Sequence, residues 1–201
     1  MIMNKHDYKD YLEADRISLG RKKHYSLGEM IFHKIIEPDY VWRFEKLLRK
    51  AEYLRNCRRS MLDIFNYAIT LRHLNHLSIK LGYYIHPNNF GPGLSISHPG
   101  FILVNPEARI GSNCRIHPGV VIGTQAGPSN QAPKLGNNIY IGPGAKIFGL
   151  IEISDNVAIG ANSVVNKSFT EPGISIAGVP ARKISDKGTL GIENPTETTT
   201  L

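Results

Sequence analysis

The stretch IYIGPGAKIFGLIEISDNVAIGANSVV, residues 139–165, repeats one pattern every six residues. An aliphatic residue returns at each sixth position, a small or medium apolar residue often precedes it by two positions, and Gly or Asn often follows it. A period of six is neither helical nor the simple alternation of a strand. It indicates a solenoid in which three short strands make one triangular coil, with equivalent residues stacked about every 18 positions.

The same repeat extends over residues 96–165. Its aliphatic anchors are Val104, Ile110, Ile116, Ile122, Leu135, Ile141, Ile147, Ile153, Ile159 and Val165. Between Ile122 and Leu135 the spacing is thirteen instead of twelve, and residues 124–133 are rich in Gly, Pro and Ser. We therefore expect this stretch to leave the coil as a loop, one residue out of register, on the binding face.

The residues before the repeat have helical patterns, expected at 5–19, 27–36, 40–56 and 59–81. Asp39 is expected to cap the third helix. That helix carries a basic face, predicted to be solvated: Arg43, Lys46, Arg49 and Lys50. The fourth helix is predicted to point its apolar residues inward: Leu62, Phe65, Ile69, Leu77 and Leu81. Gly82 is expected to end it.

These patterns predict an α+β chain that is mainly β. A helical region, 1–82, is followed by a parallel β-solenoid, 83–185, and by a flexible tail, 186–201, whose composition is polar.

Composition and cysteine positions bear on where the chain acts and on whether it binds a metal. No run of 18 apolar residues occurs, and residues 1–9 are too polar for a secretory signal. Cys57 and Cys114 lie in different regions, Cys114 in a small-residue slot of the repeat, which favours a reducing, cytoplasmic setting. No spacing of residues suggests a zinc site or another metal site.

The formal net charge is +7. Acidic residues are interspersed among the basic ones, and no aromatic-basic motif for nucleic acid is present. We therefore expect no nucleic-acid partner. An anionic small molecule, such as a phosphate-bearing co-substrate, accounts for the excess of positive charge as well.

Several motifs are similar to those of one enzyme family. They are Ile85-His86-Pro87, Ser97-His98, GPGAKI at 142–147, GANSVV at 160–165 and AGVPAR at 177–182. With these motifs the chain resembles the left-handed parallel β-helix acyltransferases, and specifically the serine acetyltransferase-like branch. The resemblance implies left-handed coils, a homotrimer, and acetyl-CoA bound between neighbouring prisms. It also implies transfer of an acetyl group to an acceptor hydroxyl.

The resemblance places the catalytic histidine at His98, which would act as a general base because an alcohol is a poor nucleophile. Tyr84 stands where the family has a carboxylate partner for that histidine, and its hydroxyl or a backbone carbonyl could orient His98. His117 is the second choice for a polar contact in the cleft. The acetyl-CoA contacts carried over from the family fall on Thr124, Pro143, Ala161, Asn166, Lys167 and Arg182.

The acceptor prediction rests on departures from the family. An aspartate before the histidine is Ser97 here, and an Arg-His pair that grips the amino-acid carboxylate is Gln131-Ala132. Neutral groups such as Ser97 and Gln131 suit a sugar, so the favoured prediction is a sugar O-acetyltransferase of capsular or exopolysaccharide synthesis. Serine O-acetyltransferase of cysteine synthesis is the alternative, and a non-catalytic hexapeptide scaffold is the third interpretation.

Overall fold

Four helices begin the chain in the computed structural model, which describes residues 1–36, 38–125 and 131–192. They are α1 (Lys5–Ser18), α2 (Leu27–Ile35), α3 (Tyr40–Cys57) and α4 (Met61–Leu81). The Asp39 side chain accepts a hydrogen bond from the backbone N–H of Trp42, which confirms the predicted cap. Gly82 ends α4 in the left-handed conformation, with φ 78°.

Short strands follow, and they form three sheets that are the faces of a prism. The strands are β1 (Tyr83–Tyr84), β2 (Ser95–Ile96), β3 (Ile102–Val104), β4 (Arg109–Ile110), β5 (Arg115–Ile116), β6 (Val121–Gly123), β7 (Lys134–Leu135), β8 (Tyr140–Ile141), β9 (Lys146–Phe148), β10 (Glu152–Ile153), β11 (Ala158–Ile159), β12 (Val164–Val165), β13 (Ser175–Gly178) and β14 (Ala181–Ser185). We name the faces sheet A (β1-β3-β6-β9-β12), sheet B (β4-β7-β10) and sheet C (β2-β5-β8-β11-β13-β14).

The predicted solenoid is confirmed by this topology. Successive strands go to different sheets, and every pairing is parallel except the hairpin of β13 with β14. The aliphatic anchors stack in columns inside the prism; in sheet C, Ile116 pairs with Ile141 and Ile141 with Ile159, and all three are fully buried. Because one face of each strand is buried, the six-residue period fixes which side chains point inward. Cys114 is also buried, as expected for its slot.

One coil is longer than the others. Lys146 pairs with Val164, 18 positions on, whereas Val121 pairs with Lys146, 25 positions away. The loop after β6 therefore adds seven residues, and the predicted offset of one residue is wrong. The sequence count assumed a hidden hexad within 124–133, but β6 and β7 occupy consecutive faces. Residues 126–130 of this loop lie outside the described residues.

Arg49 is completely buried, so the prediction that it lies on a solvated face of α3 is wrong. The other three residues of that face, Arg43, Lys46 and Lys50, are exposed as predicted. Its guanidinium contacts two carboxylates, with Nε 2.6 Å from Oδ2 of Asp15 and Nη1 2.9 Å from Oε2 of Glu52. It also donates to the backbone carbonyls of Phe90 and Gly91 in the first coil. The cluster thus links the helices to the prism.

The apolar face of α4 differs from the prediction along its length. Leu77 and Leu81 are buried as expected, together with Leu74. Leu62, Phe65 and Ile69 are 75%, 64% and 40% exposed, so the inward placement predicted for them is wrong. Only the C-terminal half of α4 packs into the core, and helical periodicity reports which face is apolar without reporting where the core ends.

The end of the described chain packs on the last coil. The backbone N–H of Thr189 donates to the carbonyl of Asn156, at 3.2 Å. Residues 193–201 of the predicted tail lie outside the described residues. Within the described ranges, no helix combines the length and the apolar content needed to span a bilayer.

Candidate functional site

His98 lies in the corner that leads from sheet C to sheet A, which we call the C/A corner. In the first coil this corner holds residues 97–101, between β2 and β3. The anchors Ile96 and Val104 that flank it are eight positions apart, whereas Ile116 and Ile122 of the next coil are six apart. Two extra residues therefore push the first corner outward, and the His98 side chain is exposed.

The backbone of this corner is held in place by hydrogen bonds to β1, to α4 and to the next coil. The Tyr83 hydroxyl donates to the carbonyl of His98 at 3.0 Å. The N–H of Gly100 donates to Leu81 at the end of α4, and the carbonyl of Phe101 accepts from Gly119 in the next corner. An exposed segment tied to three separate elements is a fixed platform for a catalytic side chain.

Three polar side chains lie at or next to the start of the C/A corner in the first two coils: Ser97, Arg115 and His117. Ser97 Oγ is 3.4 Å from Nε of Arg115, and both side chains are half-buried. His117 follows β5 directly, two positions after Arg115, at the start of the C/A corner of the second coil. Burial lowers the pKa of His117, and the charges of Arg115 and His98 lower it further against the opposing hydrogen bond to Ile141. His98, Arg115 and His117 therefore share one electrostatic environment.

The tautomer of His117 follows from its partner. Its Nδ1 is 2.8 Å from the carbonyl oxygen of Ile141, and a carbonyl only accepts, so Nδ1 carries the proton. With its pKa lowered, the ring is neutral near pH 7, and its Nε2 has a free lone pair.

Tyr84 is not a partner of His98 here. Its ring packs edge-on against His86, with 4.6 Å between the ring centroids, and its side chain is 54% exposed. The neighbouring Tyr83 instead reaches the His98 backbone, through the hydrogen bond described above. Among the described residues, no hydrogen bond holds the imidazole of His98.

Gln131 and its neighbour contribute no charge to the corner. Gln131 is exposed, and Ala132 is 5% exposed and packs in the core of the prism. Thr124, which directly follows β6 at the start of the same loop, is half-buried.

Five of the six residues predicted to bind acetyl-CoA fall at two corners on either side of sheet A. Pro143 and Ala161 are exposed at the C/A corner, in adjacent coils, where the carbonyl of Pro143 accepts from the N–H of Asn162 at 2.9 Å. Thr124, Asn166 and Lys167 follow the sheet A strands β6 and β12, at the opposite corner. Arg182 is exposed on β14.

The two corners have features that fit an extended phosphate-bearing thioester. A Cβ atom on Gly142 would lie 2.7 Å from the backbone nitrogen of Ala161, so the coils approach closely here and leave a surface of small residues. Exposed Lys167 and Arg182 offer positive charge for phosphates. In the described parts of the chain, no cluster of His, Cys, Asp and Glu could hold a metal ion.

Arg115 is the site residue that the sequence reasoning missed. It is an outward residue of β5, paired in register with Ser95 two positions before Ser97. The anchors Ile96 and Ile116 are 20 positions apart instead of 18, because the first corner is longer by two residues, so the strand register aligns Arg115 with Ser95. Ser97 and Arg115 are themselves 18 positions apart, the length of one regular coil, and this spacing is the signal that could have identified the pair.

Comparison with known proteins finds serine acetyltransferases in both sequence and structure. The serine acetyltransferase of Synechococcus elongatus is 38% identical over 120 residues, which are 58% of this chain and 49% of that protein. The crystal structure of serine acetyltransferase from Brucella abortus superimposes with a TM-score of 0.69 at 26% identity, over 92% of this chain and 71% of that one. The chain is serine acetyltransferase-like, with the hexapeptide-repeat acyltransferase fold.

A serine complex is among the similar structures. The Neisseria gonorrhoeae serine acetyltransferase crystallised in complex with serine has a TM-score of 0.66 at 25% identity, over 90% of this chain and 70% of that one. No protein-family model matches the chain. The chain spans about half the length of the curated relatives it matches. The structural similarity to serine acetyltransferase from Brucella abortus confirms the predicted α+β fold with a left-handed β-helix.

The predicted sugar acceptor, with a role in capsular or exopolysaccharide synthesis, is wrong, because these relatives and structural neighbours are serine acetyltransferases. The prediction assumed that charge missing at positions 84, 97, 131 and 132 is missing from the site. A folded site can take a charge from another strand, and Arg115 brings one beside Ser97.

Proposed function

We propose that the chain is an acetyl-CoA-dependent serine O-acetyltransferase, the activity that its relatives' names state. The observation that carries the proposal is the surroundings of His98, at a fixed and exposed corner beside Ser97, Arg115 and His117. A serine acceptor brings a hydroxyl, an ammonium and a carboxylate, and this corner offers a base, a neutral acceptor and a cation.

His98 is proposed as the general base. It removes the proton from the serine hydroxyl while that oxygen bonds to the acetyl carbon, the carbon–sulfur bond breaks, and the proton passes to the leaving sulfur. The products are O-acetylserine and CoA. Acetyl-CoA supplies the acetyl group as a thioester, and the CoA thiol is the leaving group.

The other proposed contacts divide between the acceptor and acetyl-CoA. Ser97 and His117 face the acceptor, where the free Nε2 of His117 can accept a hydrogen bond from the ammonium. Gln131 remains a proposed acceptor contact from the loop. Pro143 and Ala161 would pack on the pantetheine arm, and Thr124, Asn166, Lys167 and Arg182 would bind its polar parts. A role for Tyr84 is not included, because its ring lies against His86.

We also propose that the chain forms a homotrimer and acts in the cytoplasm. The two groups of acetyl-CoA residues lie at corners on opposite sides of sheet A. A neighbouring prism would bring one group opposite the other, so that each groove is made by two chains. The free cysteines Cys57 and Cys114 are in keeping with a reducing compartment.

The test is an assay of thiol release from acetyl-CoA with and without L-serine, with O-acetylserine identified by mass spectrometry. We expect serine-dependent thiol release that falls about 10²–10⁴-fold in His98→Ala. His76→Ala, which removes an exposed histidine from α4, is the matched control and should keep full activity.

Two results would overturn this proposal. One is the absence of serine-dependent thiol release by the wild-type chain. The other is near-normal turnover by a folded His98→Ala variant, which would remove His98 as the base.

A further inference from the structure

Arg115 is a half-buried cation without a carboxylate partner in the described residues. Its one hydrogen bond there is the 3.4 Å contact from Nε to Ser97 Oγ, which leaves both terminal nitrogens without a protein acceptor. A guanidinium has five donors in a fixed fork, and partial burial removes much of the water that would otherwise satisfy them. Such a group is suited to an anion from outside the chain.

Other arginines of the chain show the contrast. Arg49 is buried between Asp15 and Glu52, Arg16 is paired with Glu13, and Arg109 with Glu107. Each of these guanidinium groups has a carboxylate partner within the chain. Arg115 has no such partner in the described residues, although it is half-buried.

Arg115 lies close to the residue proposed as the general base. It contacts the side chain of Ser97, the residue directly before His98, and its charge acts on His117 together with that of His98. Serine separates its hydroxyl oxygen from its carboxylate by only two carbon atoms. An acceptor whose hydroxyl meets His98 therefore holds its carboxylate within the neighbourhood of Arg115.

We propose that Arg115 binds the carboxylate of the acceptor and so selects an amino acid over a neutral alcohol. The inference rests on the proposed serine acetyltransferase activity. The terminal nitrogens would donate two parallel hydrogen bonds to the carboxylate, while Nε keeps the bond to Ser97. Arg115 is then a specificity residue that contacts substrate without taking part in proton transfer.

Arg115 would supply a positive charge that the described end of the loop before β7 does not offer. Gln131 is neutral and exposed, and Ala132 is packed into the prism, so these two residues offer no cation for a carboxylate. Arg115 supplies the cation from the wall of the prism instead, on a strand held between β2 and β8. A clamp on a strand is more rigid than one on a loop.

The test compares L-serine with L-serinamide, which keeps the hydroxyl and the ammonium but has no carboxylate. Steady-state kinetics are measured for wild type, Arg115→Ala, Arg115→Lys and Arg109→Ala. In Arg115→Ala we expect kcat/KM for serine to fall about 10–100-fold, mainly through KM, because a charge-assisted pair is lost. The value for serinamide should stay within about twofold, because that acceptor makes no such pair.

The remaining variants control for charge and for folding. Arg115→Lys should recover part of the preference for serine, because lysine restores the charge without the fork. Arg109→Ala removes an exposed arginine from sheet B and should leave both acceptors unaffected. Any change that Arg115→Ala causes in the titration of His117 affects both acceptors alike, so the ratio of the two kcat/KM values isolates the carboxylate contact.

The outcomes separate the two proposals. If the wild-type chain acetylates serine, and Arg115→Ala leaves the ratio of kcat/KM for serine to kcat/KM for serinamide unchanged, this inference is overturned and the proposed function stands. If wild type prefers serine, and the preference is lost in Arg115→Ala but kept in Arg109→Ala, both are supported. If wild type acetylates neither acceptor, the proposed function itself fails.

Discussion

His86 is a titratable group inside the fold whose protonation opposes folding. Its Nε2 is buried without a hydrogen-bond partner in the described residues. Burial lowers the pKa of His86 below its ordinary 6.5, and the positive charge of Arg55 lowers it further. The unfolded chain therefore binds a proton near pH 6.5, whereas the folded chain binds it only at lower pH.

This difference predicts a pH dependence of stability. The contribution of His86 should be fully present above about pH 6.5 and should be lost as the pH falls below that value. Urea unfolding measured from pH 7.5 to 5 should show a smaller loss of stability in His86→Gln than in wild type. His76→Gln, on the exposed face of α4, should match wild type. Equal pH dependence in all three proteins would contradict the assignment.

Arg49 shows how much a single buried charge can contribute when its partners are also buried. Burial by itself lowers the pKa of Arg49, and the carboxylates of Asp15 and Glu52 outweigh burial and raise it. Burial and the charge of Asp15 raise the pKa of the nearby Glu45 well above its ordinary value. Its Oε1 accepts from the N–H of Ile96.

Replacing Arg49 should be strongly destabilising. Arg49→Met keeps the aliphatic volume but leaves Asp15 and Glu52 buried without a counter-charge, which costs about 3–5 kcal/mol. Lys50→Met, one position on but exposed, should change the free energy of unfolding by less than about 0.5 kcal/mol. Chemical denaturation of the two variants measures the difference, and similar midpoints would show that the cluster is not a stabilising centre.

At the scale of the elements, the corners decide how closely successive coils can stack. A Cβ atom on Gly142 would meet the backbone nitrogen of Ala161 at 2.7 Å, whereas a Cβ on Gly123 would have no atom within 4 Å. Gly142→Ala should therefore force the two coils apart and cost about 1–3 kcal/mol. Gly123→Ala is the matched control and should be close to neutral. Thermal unfolding of both variants checks this, and equal melting temperatures would contradict the close approach.

The elements also show what the sequence predicts and what it does not. The six-residue period predicts the coil because every anchor, such as Ile141, reports the same inward direction. The helical pattern predicts α4 but misplaces Phe65, because amphipathic spacing does not say how far the core extends. The helical pattern also places Arg49 in solvent. That is wrong because its partners, Asp15 of another helix and Phe90 of the first coil, cannot be seen in the pattern of α3 alone. Arg115 was missed for the same reason, since its neighbour Ser97 lies one coil away.

At the scale of the whole molecule, the chain is predicted to assemble. A single prism leaves the two groups of proposed acetyl-CoA contacts at separate corners, and a closed ring of three chains would join them pairwise. Light scattering should give about three times the chain mass of 22.4 kDa. The same fractions should contain the thiol-release activity. A stable monomer with full serine-dependent activity would show that one chain makes the whole groove.

The Arg49 cluster also constrains the order in which the chain can fold. Its guanidinium comes from α3, one carboxylate from α1 and two carbonyls from the first coil. None of these groups can leave water at low cost until the others are present. The helices are synthesised first, yet their charged groups must wait for residues 90–94 before they can be buried. We therefore expect the helices to close only once the first coil has formed, so that the first coil joins the helical region to the rest of the repeat.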